Sequence, residues 1–324
     1  PSASASASAA RCWYDPAPLL ASMRAPLRAN AGALARAAGV RSLDALPLYD
    51  LQIDLSITQA RYALEEEVWF TNNERAPLDE LVFRVYANAV GGTSGASGAA
   101  AASAASASAM PSAGHTVRVP PVRFVRGACD SGCAVTAERP DVVAVRLAAP
   151  LAPGGRVRVT MRFEGSLSRI DGARTNMFAQ GLEGLATMGA ASEGAGDYGL
   201  LAVGDQIASM ANFHAVLAHR HAGAWERSDD TTLGDLGSDS MSHVRATVRA
   251  EPSVRVLTSG TAAGERALPS GGRELRFDAA LVRDFALMAS PVLQTATRRV
   301  GDVEVRSHFL PAERAAGEHV LDAA

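Results

Sequence analysis

His214, His219 and His221 are the residues of this sequence whose spacing first suggests a metal. Neutral imidazoles hold zinc when they converge with further nitrogen, thiolate or carboxylate ligands. On a helix His219 and His221 would point about 200° apart, whereas on a strand they would share one side. No carboxylate or cysteine stands at matching spacing, so the expected role is a polar loop rim beside Trp225. Asp229, Asp230, Asp235 and Asp239 stand among Gly and Ser and offer the oxygen ligands calcium takes, but not in the order of a calcium loop. Turn formation and strand capping explain the same residues. Cys129 and Cys133 bracket Asp130-Ser131-Gly132, a strong turn that can bring two sulfurs together, so a small disulfide and two free thiols are both open. A disulfide would indicate an oxidising compartment, and two cysteines alone make no structural zinc site. Cys12 is a candidate for acylation, although Arg11 occupies the place where a lipidation signal needs a small residue. Nucleophilic catalysis lacks its elements: there is no Gly-x-Ser-x-Gly, and Ser259-Gly260 lies at a strand end. No catalytic, cofactor-binding or metal-binding residue is therefore assigned within the chain.

Composition narrows the chemistry further. All 31 basic residues are arginines, so Schiff bases, lysine nucleophiles and a phosphate-loop lysine are excluded. A net charge of -3 without basic runs interleaved with aromatics argues against nucleic acid as a partner. No run of about 18 apolar residues exists to form a transmembrane helix. With 48% apolar residues in 324, the chain can bury a sizeable core. It begins at Pro1, which suggests a processed or fragmentary N-terminus with a signal sequence upstream.

The elements that would position any site are mostly strands. Leu51, Ile53, Leu55 and Ile57 alternate with Gln52, Asp54 and Ser56, the signature of a half-buried strand. Further strands are predicted at 64–71, 81–86, 116–126, 142–147 and 156–164, and again at 243–249, 254–259, 273–279, 285–289 and 303–309. No helical crossover separates them, so the expected class is mainly β, an antiparallel sandwich or saddle with a short helical N-terminal extension and a Gly/Ala-rich insertion. Residues 1–45 read as a flexible tether and two short helices between Pro18 and Val40. Residues 46–311 read as the β domain, with 91–114 a flexible Gly/Ala/Ser loop. Within the poorly patterned stretch 170–230, only 205–219 reads as helical. Residues 312–324 open a helix that stops without a cap, an expected lead into a further domain.

Several of these segments resemble the N-terminal domain of the aminopeptidase N-like (gluzincin) zinc metallopeptidases. The phrases are YDLQIDLSI (49–57), EEEVWFTNNERAPLDELVFRVYANA (65–89), LAAPLAPGGRVRVTMRFEGSL (147–167), VRVLTSG (254–260) and LVRDFALMAS (281–290), in the family's order. The resemblance implies a saddle of antiparallel strands leaning on a thermolysin-like catalytic domain of the same protein and shaping the cleft for a peptide substrate. The family's zinc is held by a His-Glu-x-x-His helix and a later Glu. Neither that motif nor the family's Gly-x-Met-Glu-Asn occurs here, and Glu318-His319 has no second histidine four residues on. The resemblance thus implies a chain inactive alone, no cofactor within it, and zinc in a catalytic domain outside it. The alternatives are a standalone extracellular β-sandwich binding or scaffold module and a hydrolase of another kind. The expected location is extracytoplasmic: periplasmic, secreted or cell-surface, in a bacterium with a GC-rich genome.

Overall fold

A computed structural model describes residues 13–15, 17–21, 29–89, 121–169, 201–204, 206–227 and 240–323. The chain is mainly β. The N-terminal segment carries α1 (Ala17–Ala21), α2 (Ala31–Ala37) and a 3-10 turn (Leu43–Ala45). The first strands are β1 (Leu48–Ser56), β2 (Arg61–Thr71) and β3 (Leu78–Arg84), the last running into α3 (Tyr86–Ala89). Then come β4 (Val122–Cys129), β5 (Cys133–Arg139), β6 (Val142–Leu151), β7 (Arg156–Ser166) and β8 (Ser168–Arg169). Five short strands follow: β9 (Leu201–Gly204), β10 (Ile207–Met210), β11 (Val216–Leu217), β12 (Arg220–His221) and β13 (Ala224–Trp225). β14 (Ser242–Ala250), β15 (Arg255–Thr258), β16 (Thr261–Ala267), β17 (Arg273–Val282) and β18 (Leu287–Ser290) come next. The hairpin β19 (Gln294–Val300) and β20 (Val303–Phe309) leads through a 3-10 turn at Pro311–Glu313 into α4 (Arg314–Ala323).

Seven strands form the principal sheet, in the order β16-β17-β14-β1-β2-β7-β4. Its centre joins β1 to β14 in parallel, with Leu48 opposite His243, although the two strands lie nearly 200 residues apart in sequence. The other parallel pair is β8 with β9, and every remaining pairing among the described residues is antiparallel. A four-stranded sheet (β11-β3-β6-β5) and a five-stranded sheet (β15-β18-β10-β9-β8) complete the β structure together with two hairpins. Inward residues of all three larger sheets, among them Leu51 and Ile53 of β1, Phe83 of β3, Val145 of β6 and Met210 of β10, share one apolar core. Burial of that apolar surface is the main stabilising contribution. The outward residues of β1, Gln52, Asp54 and Ser56, face away from it, as their alternation requires.

The helix expected over 205–219 is not present. Residues 207–210 pair with β9 and β18 instead, and 216–217 pair with β3. Ala208 and Met210 are buried as alternate residues of a strand, and Gln206 and Asn212 break the segment at φ 66° and 53°. A helix cannot pass through either left-handed position. Tyr86, expected inside a strand, opens α3. The 91–114 loop, Cys12 and the four aspartates between 229 and 239 lie outside the described residues.

Two devices hold the edges. β4 ends the principal sheet and β5 ends the four-stranded one, and the turn between them carries a Cys129–Cys133 disulfide with Cα atoms 5.9 Å apart. A Cβ on Gly127 would overlap Val135, so β4 and β5 meet at a distance only glycine permits. At the other end Trp13 and Tyr14 stack edge-on against Trp69, with ring centroids 5.1 and 6.0 Å away, and cover an otherwise outward side chain.

Candidate functional site

The histidines do not converge. His214 is buried, His219 lies half-exposed 4.0 Å from Glu226, and His221 is exposed beside the two-residue turn Ala222-Gly223 of the β12–β13 hairpin. That hairpin carries Trp225, whose Nε1 donates to the Glu80 carbonyl while the Arg220 guanidinium sits over its ring. No group of three or more His, Cys, Asp and Glu among the described residues could hold a metal ion. Ser259 ties its turn to the start of β18: its hydroxyl accepts from the Ala286 N–H and its own N–H donates to the Ala286 carbonyl. Glu318 pairs with Arg314 one helical turn away.

His214 belongs to a polar cluster inside the core. Glu66, an inward residue of β2, is 0% exposed. One carboxylate oxygen accepts from the Ala215 N–H at 3.1 Å and the other lies 3.4 Å from His214 Nδ1. Nδ1 also lies 3.2 Å from the Ala215 carbonyl, which only accepts, so the tautomer with hydrogen on Nδ1 satisfies both contacts. Burial pushes the Glu66 carboxyl above its usual range, opposed by the hydrogen bond and charge of His214. On either side Tyr62 donates to the Phe213 carbonyl at 2.7 Å, and the Leu217 N–H donates to the Tyr49 hydroxyl at 2.9 Å. The cluster fastens residues 213–217 to β1 and β2. The signal for it was present in the sequence: Tyr62, Leu64, Glu66 and Val68 share one parity, so a glutamate falls among core residues and needs a partner.

The outward face of the principal sheet is a ladder of charges. Across one row stand Arg123, Glu164, Ala63, Asp54, Arg249, Glu274 and Arg266 on successive strands. Arg123 pairs with Glu164, Arg249 reaches Asp54 at 3.4 Å, and Glu274 accepts from Arg249, Arg266 and Arg276 at 3.1, 2.7 and 3.3 Å. Arg266 is the first cause that holds the Glu274 carboxyl down at about 2, with Arg249 adding to it and burial opposing. Beside this row, at the end of the sheet, lies an open groove of about 830 Å³ lined by Ser56, Arg61, Ala63, Glu164 and Glu251 among others. Its charged side chains can hold polar groups, and within it the Ser56 hydroxyl donates to the Glu251 carboxylate at 2.9 Å.

No protein-family model matches the chain, and no curated protein matches it. Among solved structures, the M1 zinc metallopeptidase from Deinococcus radiodurans gives a TM-score of 0.46 at 14% identity, covering 81% of this chain and 46% of that one. A two-domain M1 zinc metallopeptidase mutant bound to L-arginine gives 0.44 at 13% identity, covering 84% and 51%. The chain spans about half the length of these solved structures.

Proposed function

We propose that this chain is the non-catalytic, β-rich N-terminal domain of a zinc metallopeptidase of the aminopeptidase N-like kind. It shapes one wall of a peptide cleft and packs on a catalytic domain of the same protein. The observation that carries the proposal is the ordered set of family-like phrases. They fall on β1, on β2 through α3, on β6 and β7, on β15, and on β17 and β18, and four of those strands belong to one sheet. Among the described residues the histidines do not fit the family's zinc: His214 lies against Glu66 in the core, and His219 and His221 are exposed on either side of Arg220. In this reading the metal belongs to the catalytic domain. The Cys129–Cys133 disulfide supports an oxidising, extracytoplasmic location.

The test is to purify this chain alone, measure its zinc by mass spectrometry and offer it aminoacyl anilides and short peptides. The expected result is sub-stoichiometric zinc and no cleavage, with both acquired when the catalytic domain is joined to it. Stoichiometric zinc with peptide cleavage by this chain alone would contradict the proposal.

A further inference from the structure

His243 joins three parts of the molecule that are far apart in sequence. It lies at the start of β14, between Leu48 of β1 and Ala280 of β17, and is fully buried. Its Nε2 lies 2.9 Å from the Leu43 carbonyl, so Nε2 carries hydrogen and donates. The Leu281 N–H donates to Nδ1 across 3.4 Å. Only the neutral imidazole satisfies both, because it alone has one donor and one acceptor nitrogen.

Both partners are points of attachment. Leu281 bulges out of the β14–β17 register, where Ser242 faces Val282 and His243 faces Ala280, and its φ of 57° is one that side-chain-bearing residues rarely adopt. Leu281 and Met241 pack with Ala35, Leu43 and Leu46, the apolar cluster that seats residues 31–46 on the end of the sheet. Leu46 in turn accepts from the Tyr14 hydroxyl at 3.2 Å. The imidazole therefore holds the strained bulge and the helical extension at once.

We propose that His243 is a proton-operated latch: a proton added at Nδ1 sets a donor against the Leu281 N–H, and residues 31–46 leave the sheet, uncovering Leu281 and Met241. The step binds one proton from solvent and exchanges hydrogen bonds only. It stands independently of the peptidase reading.

The charged groups on the surrounding elements are Arg36 on α2, Arg41 after it, Asp44 on the 3-10 turn, Asp50 on β1, Arg245 on β14, Asp278 on β17 and Arg283 just beyond, together with the Tyr14 phenol. Arg245 is engaged with Asp50 at 3.3 Å, and Asp44 lies 3.9 Å from Arg156. The imidazole itself is held below its ordinary range by burial, with the Leu43 hydrogen bond opposing. The released form titrates near the ordinary value of about 6.5 and takes up the proton first. Release is thus favoured as pH falls below that value, up to tenfold per pH unit until the latched form itself protonates.

Hydrogen exchange on the full chain between pH 7.5 and 5, corrected for intrinsic rates, tests the latch. Protection of 31–46 should fall by up to tenfold per pH unit below about 6.5 while Leu51 to Leu55 stay protected. His243→Gln can donate to Leu43 and accept from Leu281 but does not titrate, and it should keep 31–46 protected throughout. Equal loss in His243→Gln and the wild type, or a wild-type profile flat with pH, overturns the proposal. If the variant does not fold, NMR titration of the wild-type His243 ring decides: the latch requires a midpoint below the ordinary one, shared by the amides of 43–46. An ordinary midpoint, or amides that do not move, overturns it.

Discussion

Replacing Glu66 tests whether the buried cluster fastens the 213–217 segment. In Glu66→Ala the Ala215 N–H loses its acceptor inside the core and His214 Nδ1 keeps only the Ala215 carbonyl. An orphaned buried donor costs about 1–3 kcal/mol, and the cavity left by the removed side chain adds to it, so the variant should lose about 2–4 kcal/mol in all. Glu66→Gln retains one oxygen for the Ala215 N–H at nearly the same volume, so its cost should stay at about 1–2 kcal/mol. Urea unfolding followed by far-ultraviolet circular dichroism gives both values, and hydrogen exchange shows whether the loss starts at 213–217. The reasoning fails if Glu66→Ala lies within about 0.5 kcal/mol of the wild type, the range of an ordinary surface substitution. It fails equally if Glu66→Gln costs as much as Glu66→Ala, because charge rather than an acceptor for Ala215 would then be what the site needs.

Three further outcomes are expected. A Cβ on Gly165 would overlap the Tyr62 ring, so Gly165→Ala should cost about 2–3 kcal/mol. In a double-mutant cycle with Tyr62→Leu that cost should be less than additive; strict additivity would show that the two residues do not meet. Reducing the Cys129–Cys133 disulfide, which closes a loop of sequence separation 4, should lower stability by about 2 kcal/mol on chain entropy, read as a drop in melting temperature with dithiothreitol. Glu274 is only 2% exposed, yet it lies beneath guanidinium groups that are themselves 62% and 59% exposed, so solvent screens the cluster. Glu274→Gln should cost about 1 kcal/mol at pH 7 and low salt. Because the folded carboxyl is depressed to about 2, its contribution is complete above the usual 4.5 and lost as pH falls towards 2, so variant and wild type should converge in acid and in high salt. A difference independent of pH and salt would mean that the arginines do not stabilise Glu274.

What could be seen in advance follows from how local each signal is. The alternation in β1 was legible because one face is core and the other is solvent, and the same contrast marked β2, β7, β14 and β17. β5, β16 and β19 escaped notice because most of their residues are exposed, leaving no apolar side to alternate. The 205–219 segment looked helical because Ala208, Ala211, Ala215 and Ala218 are spaced at three and four residues, while the turns that break it fall at Gln206 and Asn212 rather than at glycines. The parallel pairing of β1 with β14 depends on partners nearly 200 residues apart, and nothing local announces it. Of the chemistry-bearing residues, Glu66 was readable from parity alone. The role of His243 was not, since Leu43 and Leu281 become its neighbours only after three distant segments have packed.

The most direct test of the proposed function is to sequence the native gene beyond the codon for Ala324. A continuation encoding a helix with His-Glu-x-x-His and a later Glu is the predicted result, and it would make this chain the front domain of a zinc peptidase. A stop codon, or a continuation without that motif, would contradict it and leave a β module whose partners must be sought by binding.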